Sequence, residues 1–383
     1  MPSDHPISAA TMKPGEDRRV LRGHRWVYRN EIHAITPVPP DGGLVDIYSA
    51  EKRFIGRGYY QQSGGIAARI FSSHQETPDR SFWEKRLRRA LALRETLYPG
   101  EAVYRWIFGE SDQLPGLIVD RYGDMAVAEF ESPFYRQHLE HLVEAIRSLS
   151  AVCSVYVRQR NHAPEWYGPP VERVTFSIGN LWGSFQPERT QKTGLFLDQR
   201  SNWPLIRPFS AGAAVLDGHC YHGWWGLHAA LGGAVTITAC DTSSAALEQA
   251  RENARLNGVE DRFQFEECPV ETLLANASRQ FDVIVLDPPA LAKNRTHVKP
   301  AMNRYIEINT LALRNLRPDG ILITASCSHF VDDHLFEEIL KRAAYKARRR
   351  VSVLAWRGAS PDHPVLLAMP ETSYLKCVML RVE

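Results

Sequence analysis

In the second half of the chain, four short apolar runs each end in a side chain that can do chemistry. AVL is followed by Asp217, TITAC by Asp241, FDVIVL by Asp287, and GILITA by Ser326, Cys327, Ser328 and His329. In an open α/β sheet, ligands bind in the crevice beyond the carboxyl ends of the strands, so three carboxyl groups and a thiol would converge on one edge. Any one of these acids is equally well explained as a cap of the helix that follows it. A thiol at a strand end is ordinarily a small buried hydrophobe. The set as a whole is less well explained that way. Asp241 lies 24 residues after Asp217, where a nucleotide-type cofactor finds a carboxylate for its ribose hydroxyls. The spacing alone does not separate NAD from S-adenosylmethionine. A nicotinamide fingerprint requires G-x-G-x-x-G, whereas Gly218, Gly223 and Gly226 are spaced otherwise, which disfavours NAD.

Those ends have to be held by a sheet. AVLD, VTITACD, FDVIVLD and GILITAS are nearly all apolar, as strands buried on both faces are. Helical stretches at 243–257, 301–316 and 333–347 separate them, and this alternation predicts a parallel, doubly wound α/β sheet. Upstream, GLVDIYS, FIGRGYY and GIAARIF read as strands of a small β-rich module. A helix over 82–97, two strands around Leu114-Pro115-Gly116, a helix over 134–149 and a strand over 154–158 make the middle α+β. The expected division is 1–75, 76–185 and 186–383.

The 383 residues carry 46 Lys and Arg against 44 Asp and Glu, a balance that excludes a protein coating RNA indiscriminately. The balance hides an uneven distribution. Residues 1–75 hold 10 basic and 7 acidic groups, whereas residues 76–185 hold 13 and 15. Arg18, Arg19, Arg22, Arg25 and Arg29 fall in an acid-free run interleaved with Trp26 and Tyr28. Guanidinium groups pair with phosphate and flat rings stack on bases, so this run is a candidate RNA contact; a solvated turn around a core tryptophan is the alternative. The six cysteines are widely spaced with no CxxC pair, as free thiols of a reducing compartment are. No run approaches the ~18 apolar residues of a membrane span, and the N-terminus lacks a signal-type apolar core. A cytoplasmic location without a membrane partner is expected.

The run KTGLFLDQRSNW (192–203), with VLDGHCYHGWWGLHAA, VIVLDPPALAKNR and ITASCSHF, resembles the PUA-domain-containing class I RNA methyltransferases. Within them it is most similar to the bacterial 23S rRNA (cytosine-carbon-5) methyltransferases. The likeness covers nearly the whole chain: residues 1–75 resemble the PUA module, GESDQLPGLIVDRYGD the start of the central domain, and DHPVLLAMPETSYLK (362–376) the C-terminal strand hairpin. It implies a Rossmann-like methyltransferase domain that uses S-adenosylmethionine and acts on ribosomal RNA, and is compatible with a homodimer. By the same resemblance Cys327 is a nucleophile that adds to carbon-6 of cytosine, turning carbon-5 into an enamine-like nucleophile. Asp287 holds the base's Watson–Crick edge. Asp198, Arg200, Asp217, Tyr221, Gly223, Asp241 and Asp287 line the cofactor site, and Lys293, Arg295 and Lys299 hold phosphates around an extruded base.

Two features depart from that pattern. Where relatives show a stretch like LFCYTGGWG, this chain has a loop with His222 in place of a small hydroxyl residue and Trp224 in place of a glycine. An indole there must turn away, reshape the pocket or fill the cofactor's space. At Cys268-Pro269, where relatives place an acid near the adenine, proline offers neither a carboxylate nor an N–H. Cofactor affinity is therefore the weak point of the reading. Its rivals are a non-catalytic RNA-binding or ribosome-assembly protein and a methyltransferase acting on another atom or base. His219, Cys220, His222 and His228 are clustered, but without a second ligand pair no metal is expected.

Overall fold

The apolar runs of the second half form a seven-stranded sheet: β1 (Ala214–Gly218), β2 (Thr236–Asp241), β3 (Phe263–Glu267), β4 (Phe281–Leu286), β5 (Leu316–Ser326), β6 (Val351–Arg357) and β7 (Lys376–Val382). Their spatial order is β3-β2-β1-β4-β5-β7-β6, and only β7 runs antiparallel to its neighbours. This is the Rossmann-like methyltransferase fold. Helices α1 (Trp224–Leu231), α2 (Ser244–Leu256), α3 (Val270–Asn276), α4 (Val298–Asn315) and α5 (Asp333–Ala347) connect the strands. Leu216, Ile284 and Leu322 from the strands, with Tyr305, Leu313, Phe336 and Leu340 from α4 and α5, close one buried core. Side-chain caps start the helices where the sequence offers them: Ser243 accepts from Ala246 N and Asp332 from Leu335 N. The order reverses between β1 and β4, which is where a crevice opens in such sheets.

The computed structural model describes residues 7–276, 280–292 and 294–383. They group into two units. One comprises Met1–Val174, Gln186–Gly194 and Asp362–Thr372, and the other Thr175–Phe185, Leu195–Pro361 and Ser373–Glu383. The first unit holds a six-stranded sheet containing the three expected strands, Leu44–Tyr48, Phe54–Tyr60 and Ile66–Ser72. Ser8–Met12, Trp26–Tyr28 and Ile32–Thr36 complete it; they are short, and their apolar residues are too few to be legible as strands. A five-stranded sheet runs from Val103–Phe108 to Glu165–Tyr167, with Trp83, Leu87 and Trp106 in its core.

Three local expectations need correction. The helix expected over 134–149 is two, Pro133–Gln137 and Leu139–Leu149, interrupted at His138. The helix expected from 301 starts at Val298, because Pro300 is tolerated in a first turn, where its N–H has no intrahelical partner to lose. Residues 362–376 are the connection of the β6–β7 hairpin rather than its strands; only Lys376 lies in one. No helix of the described residues is long and apolar enough to cross a membrane.

Candidate active site

Asp217, at the end of β1, is fully buried. Its Oδ2 accepts from Gly226 N of α1 at 2.8 Å, while Oδ1 has no hydrogen-bond partner among the described residues. Burial, reinforced by the nearby Asp287 and Asp241 carboxyls, pushes its pKa up to about 7. The loop that follows is sharply folded: His219, Tyr221 and Gly223 have φ of 60°, 48° and 77°. Only glycine takes such angles without strain, and a Cβ on Gly223 would also lie 3.1 Å from that of Ala250. Asp241 Oδ2 anchors this loop by accepting from Tyr221 N at 3.1 Å, and its Oδ1 accepts from Ser243 N at 3.0 Å. A turned loop of this kind brings backbone close to a bound nucleoside, and the unpaired Asp217 oxygen is suited to a cationic group.

His222 and Trp224 are both buried. The His222 ring is stacked on Tyr221 at 3.7 Å and 11° and tilted against Phe185. Burial pulls its pKa down to about 3, so the imidazole is neutral. The Trp224 indole stacks on Trp203 at 4.9 Å and lies parallel to Phe176 at 6.1 Å. It is inserted against the hairpin of Val174–Ile178 and Leu181–Phe185, where a Cβ on Gly183 would sit 2.6 Å from Trp224 Cζ2. The indole is thus packed among Trp203, Phe176 and the Gly183 backbone. Among the described residues its buried Nε1 has no hydrogen-bond partner, which costs about 1–3 kcal/mol. Ring stacking at about 0.5–1.5 kcal/mol per pair offsets this. Pro269 is exposed and sits directly before α3, whose backbone Thr272 and Leu273 N–H groups bond to its carbonyl.

The β4 end carries Asp287, whose oxygens are both engaged. Gln199 Nε2 donates to Oδ1 at 3.0 Å and Trp225 Nε1 to Oδ2 at 3.1 Å. Asn202 in turn holds Gln199. Burial, with Asp198 nearby, pushes the Asp287 carboxyl up to about 6 despite those two bonds. Asp198 Oδ2 accepts from Tyr374 Oη at 2.6 Å, while the buried Oδ1 has no hydrogen-bond partner among the described residues. Arg200 is buried close to it in sequence.

Cys327, at the β5 end, is half-buried, and its Sγ donates to the Pro288 carbonyl at 3.8 Å. The DPPA turn and the SCS turn therefore touch. The two serines beside Cys327 are clamped to one phenol: Ser326 Oγ donates to Tyr305 Oη at 3.0 Å, and Ser328 Oγ lies 3.2 Å from the same atom. Ala292 N also donates to Ser328 Oγ. Beneath them Lys376 Nζ donates to the Ser328 and Tyr374 carbonyls. Trp225, Gln199, Tyr305, Lys376 and Gly183 were not singled out from sequence. Trp225, Gln199 and Lys376 sit inside the segments that carry the resemblance, so those three were within reach.

The basic residues are less concentrated than their spacing suggests. Arg19 pairs with Glu31 at 2.8 Å and bonds the Trp26 carbonyl. The Trp26 indole donates to Glu110 and lies under the Arg69 guanidinium. Arg25 is half-buried, Arg29 is bound to the Gln61 carbonyl, and Arg18 and Arg22 are exposed. Beyond β4, Arg295 and Lys299 are exposed, and Lys293 lies outside the described residues. Among the described residues no cluster of three or more His, Cys, Asp or Glu could hold a metal ion.

Residues 10–73 match the model of a PUA-like domain and residues 209–366 that of a methyltransferase domain. The chain is 34% identical to ribosomal RNA large subunit methyltransferase I of Shewanella denitrificans, over 97% of this chain and 98% of that one. It is equally similar to the protein of that name from Aeromonas salmonicida, over 96% and 97%. The chain belongs to this family. It is an S-adenosylmethionine-dependent methyltransferase carrying a PUA-like domain. In fold it matches a Streptococcus mutans protein described as a SAM-dependent methyltransferase (TM-score 0.85, 18% identity, 98% of this chain and 100% of that one). It also matches a methyltransferase crystallised with SAH (TM-score 0.87, 19% identity, the same coverage).

Proposed function

We propose that this enzyme methylates carbon-5 of a cytosine in large-subunit ribosomal RNA through a covalent adduct with Cys327. The observation that carries the reading is the contact of Cys327 Sγ with the Pro288 carbonyl, one residue from Asp287. It supports the reading because the turn that carries the Cys327 thiol touches the turn that carries Asp287. In this mechanism the Cys327 thiolate adds to carbon-6 and the ring's electrons move to carbon-5. Bound S-adenosylmethionine supplies an electrophilic methyl group, which carbon-5 takes. Removal of the carbon-5 proton then re-forms the double bond and expels the thiolate. A carboxyl with a pKa of about 6 is suited to share a proton with the cytosine edge as the ring becomes anionic.

The donor site we assign to Asp198, Arg200, Asp217, Tyr221, Gly223, Asp241 and Asp287. The unpaired Asp217 oxygen would face the cofactor's cationic end, and Asp241 would face its ribose, with lone pairs left beyond the backbone N–H groups it already accepts. The RNA contacts fall to the PUA-like module, by way of Arg18, Arg19, Arg22, Arg25 and Trp26, and to the segment after DPPA with Lys293, Arg295 and Lys299. The same reading keeps a division of labour among 1–75, 76–185 and 186–383 and puts the enzyme in the cytoplasm, where its RNA is. The test uses ribosomal RNA made with 5-fluorocytidine, which cannot lose its carbon-5 substituent. The native protein with S-adenosylmethionine should form an adduct stable in denaturing gels, and Cys327→Ala should form none. Methylation of ordinary RNA by Cys327→Ala at the native rate would instead favour a different target atom.

A further inference from the structure

Lys376 is an unusual lysine. It is the first residue of β7 and stands directly across the ladder from Ser326, the residue before Cys327. Only 3% of it is exposed. Its ammonium is held by two carbonyls, Ser328 at 2.9 Å and Tyr374 at 2.7 Å, and forms no ion pair with a carboxylate among the described residues. A buried charge ordinarily needs a counter-charge, because carbonyl dipoles offset only part of its desolvation. The Ser328 carbonyl that pins it belongs to the residue after Cys327, so the cation is fixed under the turn that presents the thiol.

We propose that Lys376 is the positioning residue that holds Cys327 as a thiolate, its buried ammonium being fixed by the Ser328 carbonyl under the turn that carries the sulfur. The assignment rests on Cys327 being the nucleophile. A thiol beside a fixed cation ionises below its ordinary range, here giving up its weak S–H bond to the Pro288 carbonyl, and only the ionised form attacks carbon-6. The surrounding groups are compatible with this pairing. Asp332 and Asp333, at the start of α5, and Cys327 itself favour the charged lysine, although burial, the largest influence, pulls its pKa down to about 8. It is thus still mainly an ammonium at neutral pH. Tyr305, from α4, stays neutral because burial raises its pKa. Asp287, from the β4 end, is held up near 6, and His329 follows the SCS turn in the chain. Tyr374 offers Lys376 its carbonyl while its hydroxyl is turned to Asp198.

The test follows the rate of iodoacetamide alkylation against pH in the full-length protein, with each modified cysteine resolved by peptide mass spectrometry. It needs neither RNA nor methyl transfer, so it is separate from the fate of the catalytic reading: loss of the 5-fluorocytidine adduct would remove the function, not the thiolate. In the native protein the Cys327 midpoint should lie at least about one unit below the ordinary thiol value of ~8.5. Lys376→Gln should raise it by about one unit or more, slowing alkylation roughly tenfold at pH 7, and Lys376→Arg should keep it low. A native midpoint at or above ~8.5 overturns the proposal even if Lys376→Gln does not fold. So does a Lys376→Gln midpoint equal to the native one, or a Lys376→Arg midpoint as high as that of Lys376→Gln.

Discussion

The loops after β1 and β5 solve the same problem by opposite means. The β1 loop's backbone is bonded to Asp241 and Asn253, but its large side chains are held by ring packing: Trp224 against Trp203 and Phe176, and His222 between Tyr221 and Phe185. The β5 loop is held by polar bonds, with Tyr305 gripping both serines and Lys376 gripping the backbone. Packing is indifferent to residue identity so long as volume is conserved nearby, and Gly183 supplies that space for Trp224. A polar clamp has no such freedom, because each buried donor or acceptor left alone costs its full desolvation. The side chains of the first loop can therefore change where volume is matched nearby, and those of the second cannot.

That contrast can be broken in several places. The largest effect is expected at the polar loop's thiol: Cys327→Ala should abolish turnover on ribosomal RNA while leaving S-adenosylhomocysteine binding unchanged by calorimetry. Trp224→Ala should cost about 3–5 kcal/mol of stability in denaturant titrations, since it empties a buried aromatic site. A Trp224→Gly change toward the relatives' residue should thus harm this chain. Tyr305→Phe leaves two buried serine hydroxyls short of a partner and should cost about 1–3 kcal/mol, with a fall in kcat larger than any change in KM for cofactor. Gly183→Ala should cost about 1–3 kcal/mol through overpacking. Combined with a smaller residue at 224 it should show a coupling energy of about 0.5–3 kcal/mol in a double-mutant cycle.

The smallest effect is a pH dependence at Asp217. Its carboxyl is protonated up to about pH 7 in the fold but only to its ordinary 3.8 when unfolded. Without ligand, it therefore contributes stability that is present below about pH 4 and lost as pH rises toward 7. A ligand ammonium, such as the one on the amino-acid end of S-adenosylhomocysteine, reverses the preference by favouring the carboxylate. S-adenosylhomocysteine affinity, read by calorimetry, should strengthen between pH 6 and 8 by up to about tenfold and stay flat in Asp217→Asn.

The sheet and the convergence of Asp217, Asp241, Asp287 and Cys327 were legible because strands buried on both faces leave unbroken apolar runs whose ends can be counted. What stayed hidden depends on contacts distant in sequence. Nothing near Trp224 announces that Gly183, on a hairpin 41 residues earlier, makes room for it. The clamp by Tyr305 spans two helical and strand elements, and Lys376 reaches Ser328 from 48 residues away. The surroundings of the arginine run were hidden for a related reason. Spacing reveals how many guanidinium groups are near one another, but not that Glu31 and Glu110 return to meet Arg19 and Trp26.

The Gly183–Trp224 contact has a consequence for ancestry. Two positions that exclude each other's bulk behave as one inherited character, since either change alone passes through an overpacked or hollow intermediate. Among descendants of this chain, a tryptophan at 224 should be found only with glycine at 183. A lineage that returns 224 to glycine should carry a larger side chain at 183, so the pair would mark a branch of the family that neither site marks alone.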